Sequence, residues 1–105
     1  MIYLVIVDKF TQEGKKDLMR VWKWQKRFDD WLISHGAKFT SVKHFLTEVG
    51  EPVYETWLEY PNYAALDEDE EKTKEFAQDP EWRQLVSDMK VFFERLSSRI
   101  VKEIK

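Results

Sequence analysis

Residues 39–60 read FTSVKHFLTEVGEPVYETWLEY. Two runs rich in aromatic and β-branched side chains, Phe39 to Leu46 and Val53 to Tyr60, flank Glu48-Val49-Gly50-Glu51-Pro52. Strand formers on either side of a Gly/Pro segment read as a β-hairpin with Gly50 in the turn. A turn centred on Val49-Gly50 pairs Glu48 with Glu51, Phe45 with Tyr54 and His44 with Glu55. Side chains alternate along a strand. This register therefore puts Phe39, Ser41, Lys43, Phe45, Tyr54, Thr56, Leu58 and Tyr60 on one face, and Thr40, Val42, His44, Leu46, Val53, Glu55, Trp57 and Glu59 on the other. The first set has more aromatics and suits a covering of helices.

Outward from the hairpin, Pro61 ends the second strand and Asn62 caps a polar helix to about Gln78. Glu68 with Lys72 and Glu70 with Lys74 support that helix at four-residue spacing. Asp79-Pro80 restarts the chain as N-cap and first helical residue, and Trp82, Leu85, Met89, Phe92, Phe93 and Leu96 form a broad apolar stripe. Arg99 to Ile104 then reads as a half-exposed fourth strand. Upstream, Ile2 to Val7 (IYLVIV) is apolar without alternation, which suits a central strand covered on both faces. Thr11 caps one long first helix with Leu18, Val21, Trp22, Phe28 and Leu32 at helical spacing, stopped by Gly36. The order β-α-β-β-α-α-β is the ferredoxin-like α+β plan, its second crossover helix broken at Asp79-Pro80.

The chain has 105 residues and no Pro-, Gly- or Ser-rich linker, so one domain over residues 1–105 is expected. A hydrophobic share of 43% with five Trp is ample for a core. The net charge of −3 comes from interleaved acids and bases, which makes nucleic acid and anionic membrane poor partners. Absence of cysteine removes disulfides, thiolate catalysis and cysteine-bound zinc. No apolar run approaches a membrane span, and Met1 to Val7 is too short for a signal peptide, so a soluble cytoplasmic protein is expected. With three glycines and no phosphate loop, no nucleotide or other cofactor is expected.

Right-handed crossovers return all helices to one side of the sheet and leave the other bare. With Val42, Leu46, Val53, Trp57 and half of the first strand on it, that face is an apolar patch of the order that monomers rarely expose, some hundreds of Å². A second copy laid face to face hides it, so a homodimer is expected.

Tyr54-Glu55-Thr56-Trp57-Leu58-Glu59-Tyr60-Pro61-Asn62-Tyr63-Ala64-Ala65-Leu66, a strand ending in an aromatic before an alanine-leucine helix start, resembles the dimeric α+β barrel superfamily. The similarity is to its NIPSNAP-like and stress-responsive barrel members. Gln78-Asp79-Pro80-Glu81-Trp82 is similar to that group's Asp-Pro-aromatic helix entry. The resemblance spans essentially the whole chain. It implies two ferredoxin-like protomers closing a barrel, with small-molecule pockets inside the barrel or between sheet and helices. Members of the superfamily include cofactor-free monooxygenases, haem-degrading enzymes and decarboxylases or dehydratases. No catalytic set here matches any of them, and residues 62–96 lack the histidine that haem degradation needs.

His44 opposite Glu55, beside Val42 and Trp57, is the leading candidate for chemistry: a carboxylate orients an imidazole and raises its basicity, giving a general base inside an apolar enclosure. The same pair also reads as an interfacial polar contact in a dimer. Val42, His44, Glu55, Trp57 and Glu59 are thus the expected lining of a site for a small apolar or aromatic ligand. His35, just before Gly36, suits the negative end of the first helix. It is too far from His44 in sequence to suggest a metal site. The run Asp67-Glu68-Asp69-Glu70-Glu71 lacks the pattern of a calcium loop and reads as a solvated helix start. Trp22, Trp24, Phe28 and Trp31 read mainly as core, with an aromatic ligand pocket as the alternative. Three functions remain open: a small-molecule-binding dimer, a cofactor-free monooxygenase-like enzyme using His44, or a structural dimer with a filled barrel.

Overall fold

In a computed structural model that describes residues 1–104, the chain runs β1 (Ile2–Phe10), α1 (Gln12–Lys16), α2 (Leu18–Ser34), β2 (Ser41–Leu46), β3 (Tyr54–Tyr60), α3 (Tyr63–Phe76), α4 (Pro80–Phe92) and β4 (Phe93–Lys102). The strands form one antiparallel sheet in the order β2-β3-β1-β4. This is the ferredoxin-like plan, and the apolar first strand is central as its composition requires.

The expected single first helix is two. Asp17, at φ −146° and ψ 83°, ends α1 and caps α2, its carboxylate accepting from the Arg20 N–H at 3.1 Å. A short acid competes for backbone donors and favours a cap over a helix interior. Thr11 caps α1 as expected, and its N–H donates to the Phe92 carbonyl at 2.9 Å. A Cβ on Gly14 would strike that carbonyl oxygen and lie 3.3 Å from the Phe10 ring, so α1 can seat against the end of α4 only through a glycine. Asn62 and Asp79 cap α3 and α4 as expected.

β4 begins at Phe93, not Arg99, with no connecting residue after α4. The spacing of Phe92, Phe93 and Leu96 also fits a continuing helix. Here the ladder to β1, from Phe10↔Phe93 to Ile2↔Lys102, overrides that local preference, and Leu96 leaves the helical stripe. The ladder shifts between Val7 and Asp8, which brings Asp8 opposite Arg95.

The hairpin register differs by one residue from the expected one. Leu46 pairs with Tyr54, Phe45 with Glu55 and His44 with Thr56. Thr47 N–H donates to the Val53 carbonyl at 3.0 Å, which closes a loop centred on Gly50 at φ 112°. An odd loop in place of an even one turns β2 over. Val42, His44 and Leu46 therefore share the helix side with Tyr54, Thr56, Leu58 and Tyr60, whereas Ser41, Lys43 and Phe45 share the open face with Glu55, Trp57 and Glu59.

The core has two centres. One gathers Val21, Trp24 and Trp31 of α2, Tyr54, Leu85, Phe92 and Phe93. The other joins Ile2, Tyr60 and Leu66 at the opposite end of β3. Among the described residues no helix is long and apolar enough to cross a membrane.

Candidate functional site

Between the two core centres lies a cavity of about 330 Å³. Its floor is Leu4, Ile6 and Asp8 of β1 with Thr56, Leu58 and Tyr60 of β3. Trp24, Phe28 and Leu32 of α2, Phe76 of α3, and Trp82, Val86 and Met89 of α4 enclose it from above. The lining is apolar and aromatic with a few polar groups, which is the make-up of small-molecule sites.

Toward the Tyr54 end of β3 the polar groups form a connected network. His44 Nε2 lies 2.6 Å from Asp29 Oδ2 and Nδ1 lies 2.9 Å from Thr56 Oγ1. Asp29 Oδ1 accepts from Gln25 Nε2 at 3.0 Å, and the Tyr54 hydroxyl donates to Gln25 Oε1 at 3.0 Å. The His44 ring stacks on Tyr54 with centroids 5.6 Å apart. Burial, then the nearby Asp29 and Asp8 carboxylates, push the Tyr54 hydroxyl far above the ordinary phenol range, so it stays a donor. A neutral His44 that donates Nε2–H to Asp29 leaves Nδ1 to accept from Thr56, whose side chain lines the cavity. Asp29, His44 and Thr56 thus form a hydrogen-bonded chain whose two ends, Asp29 and Thr56, both line the cavity.

Asp8 is the other polar element. It is 6% exposed, and its Oδ1 accepts from Arg95 Nε at 2.7 Å. Burial pushes its carboxyl above the usual carboxylate range while Arg95 pulls it down. Tyr60, at the far end, donates to Asp69 Oδ2 at 2.8 Å. Asp69 also takes the Lys38 N–H, at 2.9 Å and 3.0 Å on its two oxygens. This acid of the expected solvated run is therefore a structural tie between α3 and the chain entering β2.

The structure does not bring the expected site residues together. His44 and Val42 face α2, and Glu55, Trp57 and Glu59 lie on the opposite side of the sheet, because the one-residue shift sends neighbours in the assumed register to different faces. His44 finds Asp29 in place of Glu55. Glu55 accepts from Trp57 Nε1 at 3.2 Å and sits 3.7 Å from Arg99 Nη2. The Thr40 hydroxyl, donating to Glu59 Oε1 at 2.7 Å, holds the Glu59 carboxyl below its usual range. Trp57 is flanked on the open face by Tyr3 and Phe45, with centroids 5.6 Å and 6.1 Å away. Of the α2 aromatics, Trp24 and Phe28 line the cavity, whereas Trp31 is core and stacks on His35 at 3.7 Å. His35 holds the Trp31 carbonyl through Nδ1 at 2.7 Å, at the helix end where it was expected.

Asp8, Asp29, Thr56 and Arg95 escaped the sequence reading. Asp8 carried a visible signal, as the first charge to follow the run IYLVIV of a central strand. Asp29 carried a weaker one, lying one turn beyond Gln25 and beside the apolar stripe of α2. Nothing local marks Arg95, whose place depends on the β4 register.

No family model and no curated protein sequence matches the chain. Solved structures do. The chain is similar to an uncharacterized NIPSNAP domain protein from Burkholderia xenovorans, with a TM-score of 0.66 at 17% identity over 99% of this chain and 95% of that one. It is also similar to a protein of Agrobacterium tumefaciens, with a TM-score of 0.69 at 15% identity over 100% of this chain and 95% of that one. At such identities the likeness shows a shared fold, the NIPSNAP-like α+β arrangement.

Proposed function

We propose that the chain is a small-molecule-binding protein that acts as a homodimer and holds a compact, mostly apolar ligand in the cavity beneath its helices. The observation that carries this reading is the cavity itself: about 330 Å³ walled by Trp24, Phe28, Leu58 and Trp82, with buried polar groups at one end. The ligand site expected around His44 thereby moves to the helix side of the sheet. Trp57, Glu55 and Glu59 pass to the open face and the proposed subunit contact. Tyr3, Phe45 and Trp57 stand there over a fully buried Val5, an aromatic patch that a second sheet would cover.

The test is titration of the purified protein with 1-methylnaphthalene, followed by ligand-observed NMR, beside Leu58→Trp, which fills the floor. Saturable binding near one ligand per chain is expected. The variant should bind at least about tenfold more weakly, since the added ring takes the ligand's place. Absence of binding, or equal binding by a folded variant, removes the reading.

A specific observation also favours an enzyme: the relay Asp29–His44–Thr56 ends on the cavity floor and can take a proton from a bound molecule through the Thr56 hydroxyl to His44 Nδ1. In that case His44→Gln should keep ligand binding and lose turnover by about a hundredfold or more. Undiminished turnover in that variant eliminates His44 as the base.

A further inference from the structure

We propose that the free carboxylate oxygen of Asp8 is the polar anchor of the cavity, and that its ligand carries a hydrogen-bond-donating head, a hydroxyl or an ammonium group. This rests on the reading of the cavity as a ligand site.

The acids around the cavity are Asp8, Asp29, Asp69 and Glu70. Asp29 has both oxygens engaged, by His44 and Gln25. Asp69 has both engaged, by the Lys38 N–H and the Tyr60 hydroxyl. Glu70 is exposed to solvent. Asp8 differs from all three. It is buried, Arg95 Nε occupies Oδ1, and among the described residues nothing donates to Oδ2. Asp8 lines the cavity and its free oxygen is not among the sealed, unpartnered polar atoms of the described residues, so a donor on a ligand can reach it. A hydrogen bond to a charged acceptor is among the stronger ones. The bulge after Val7 makes the arrangement, because it sets Asp8 opposite Arg95 and so fixes one oxygen while leaving the other available.

The charge balance argues against an anionic head. Arg95 could attract one, but Asp8 already matches its charge. The remaining wall sets Asp29, Asp69 and Glu70 against Lys72, with His44 committed to Asp29. A carboxylate or phosphate would enter a surplus of negative charge beside a buried carboxylate. The aromatic walls, Trp24, Phe28 and Trp82, accept a flat apolar body and tolerate a cation.

The experiment compares one frame with four heads by ligand-observed NMR: 1-methylnaphthalene, 1-naphthylmethanol, 1-naphthylmethylamine and 1-naphthoate. The alcohol and the amine are expected to bind about tenfold or more tighter than the methyl compound, the range of one hydrogen bond to a charged group, and naphthoate more weakly. A tighter amine identifies an ammonium ligand, and a tighter or equal alcohol a hydroxyl ligand, with Asp8 as anchor in both. Asp8→Asn should abolish the amine's advantage over methylnaphthalene. Should that variant not fold, the Asp8 carboxyl carbon resonance of the unaltered protein decides: it should move on adding amine or alcohol and stay still with the methyl compound. Methylnaphthalene binding without any donor preference, naphthoate matching the alcohol, or an unmoved Asp8 resonance each overturns the anchor alone. If none of the compounds binds, the cavity reading falls and the anchor with it.

Discussion

Replacing Phe92 with alanine is expected to remove about 3–5 kcal/mol of stability. Phe92 is the last residue of α4 and is 2% exposed. Its ring meets Trp24 edge-on at 5.8 Å, with the Arg20 guanidinium 5.1 Å from its centroid, and its carbonyl accepts the Thr11 N–H at 2.9 Å. The backbone contact survives the substitution, while the packing of α2 against α4 does not. For a domain of this size, whose total stability is of order 5–15 kcal/mol, that loss is a large share. Urea unfolding should show the midpoint falling by roughly 2 M at unchanged slope. A loss below about 1 kcal/mol would mean that the neighbouring rings close over the gap, and that this junction is not the centre of the core.

Trp57→Glu is expected to convert a dimer into a 12.8 kDa monomer at micromolar concentration. The substitution deletes the largest ring of the open face and places a third acid on β3 between Glu55 and Glu59. Truncating a central interface Trp typically costs 2 kcal/mol or more, and burying an unpaired charge adds several more, so the dissociation constant should rise by at least about a hundredfold. Sedimentation velocity reads the mass, and far-UV circular dichroism confirms that the sheet persists. Wild-type protein that sediments as a monomer under the same conditions ends the dimer proposal outright. Persistence of the dimer in the folded variant would place the subunit contact on another surface.

Most of the elements were legible in the chain because they announce themselves locally. Thr11, Asn62 and Asp79-Pro80 are caps whose side-chain oxygens answer exposed helical N–H groups, and all of them act as caps in the structure. The unbroken run IYLVIV belongs at the centre of a sheet because both its faces need cover, and β1 lies between β3 and β4. The β4 start was not legible, since Phe93 and Leu96 satisfy helical and extended spacing equally until β1 offers them partners. The break at Asp17 was missed because a single acid inside a periodic stretch reads as solvent-facing unless its backbone angles are known.

The candidate site shows the same division more sharply. His44 was singled out for its chemistry and does sit in a polar network beside the cavity, but its partner is Asp29 on α2, and Glu55 lies on the far side of the sheet. Residue types and periodicity determined the order of strands and helices, apart from the break at Asp17 and the start of β4. The apolar patch expected on the bare face, by contrast, lost Val42 and Leu46 to the helix side. The tertiary structure alone decided the hairpin register, through the loop around Gly50, and with it which side chains meet. The reason is the period of two in a strand. Helical caps and apolar runs are stabilised by residues within one turn of each other, whereas a strand's facing depends on one residue of loop length that propensity does not encode.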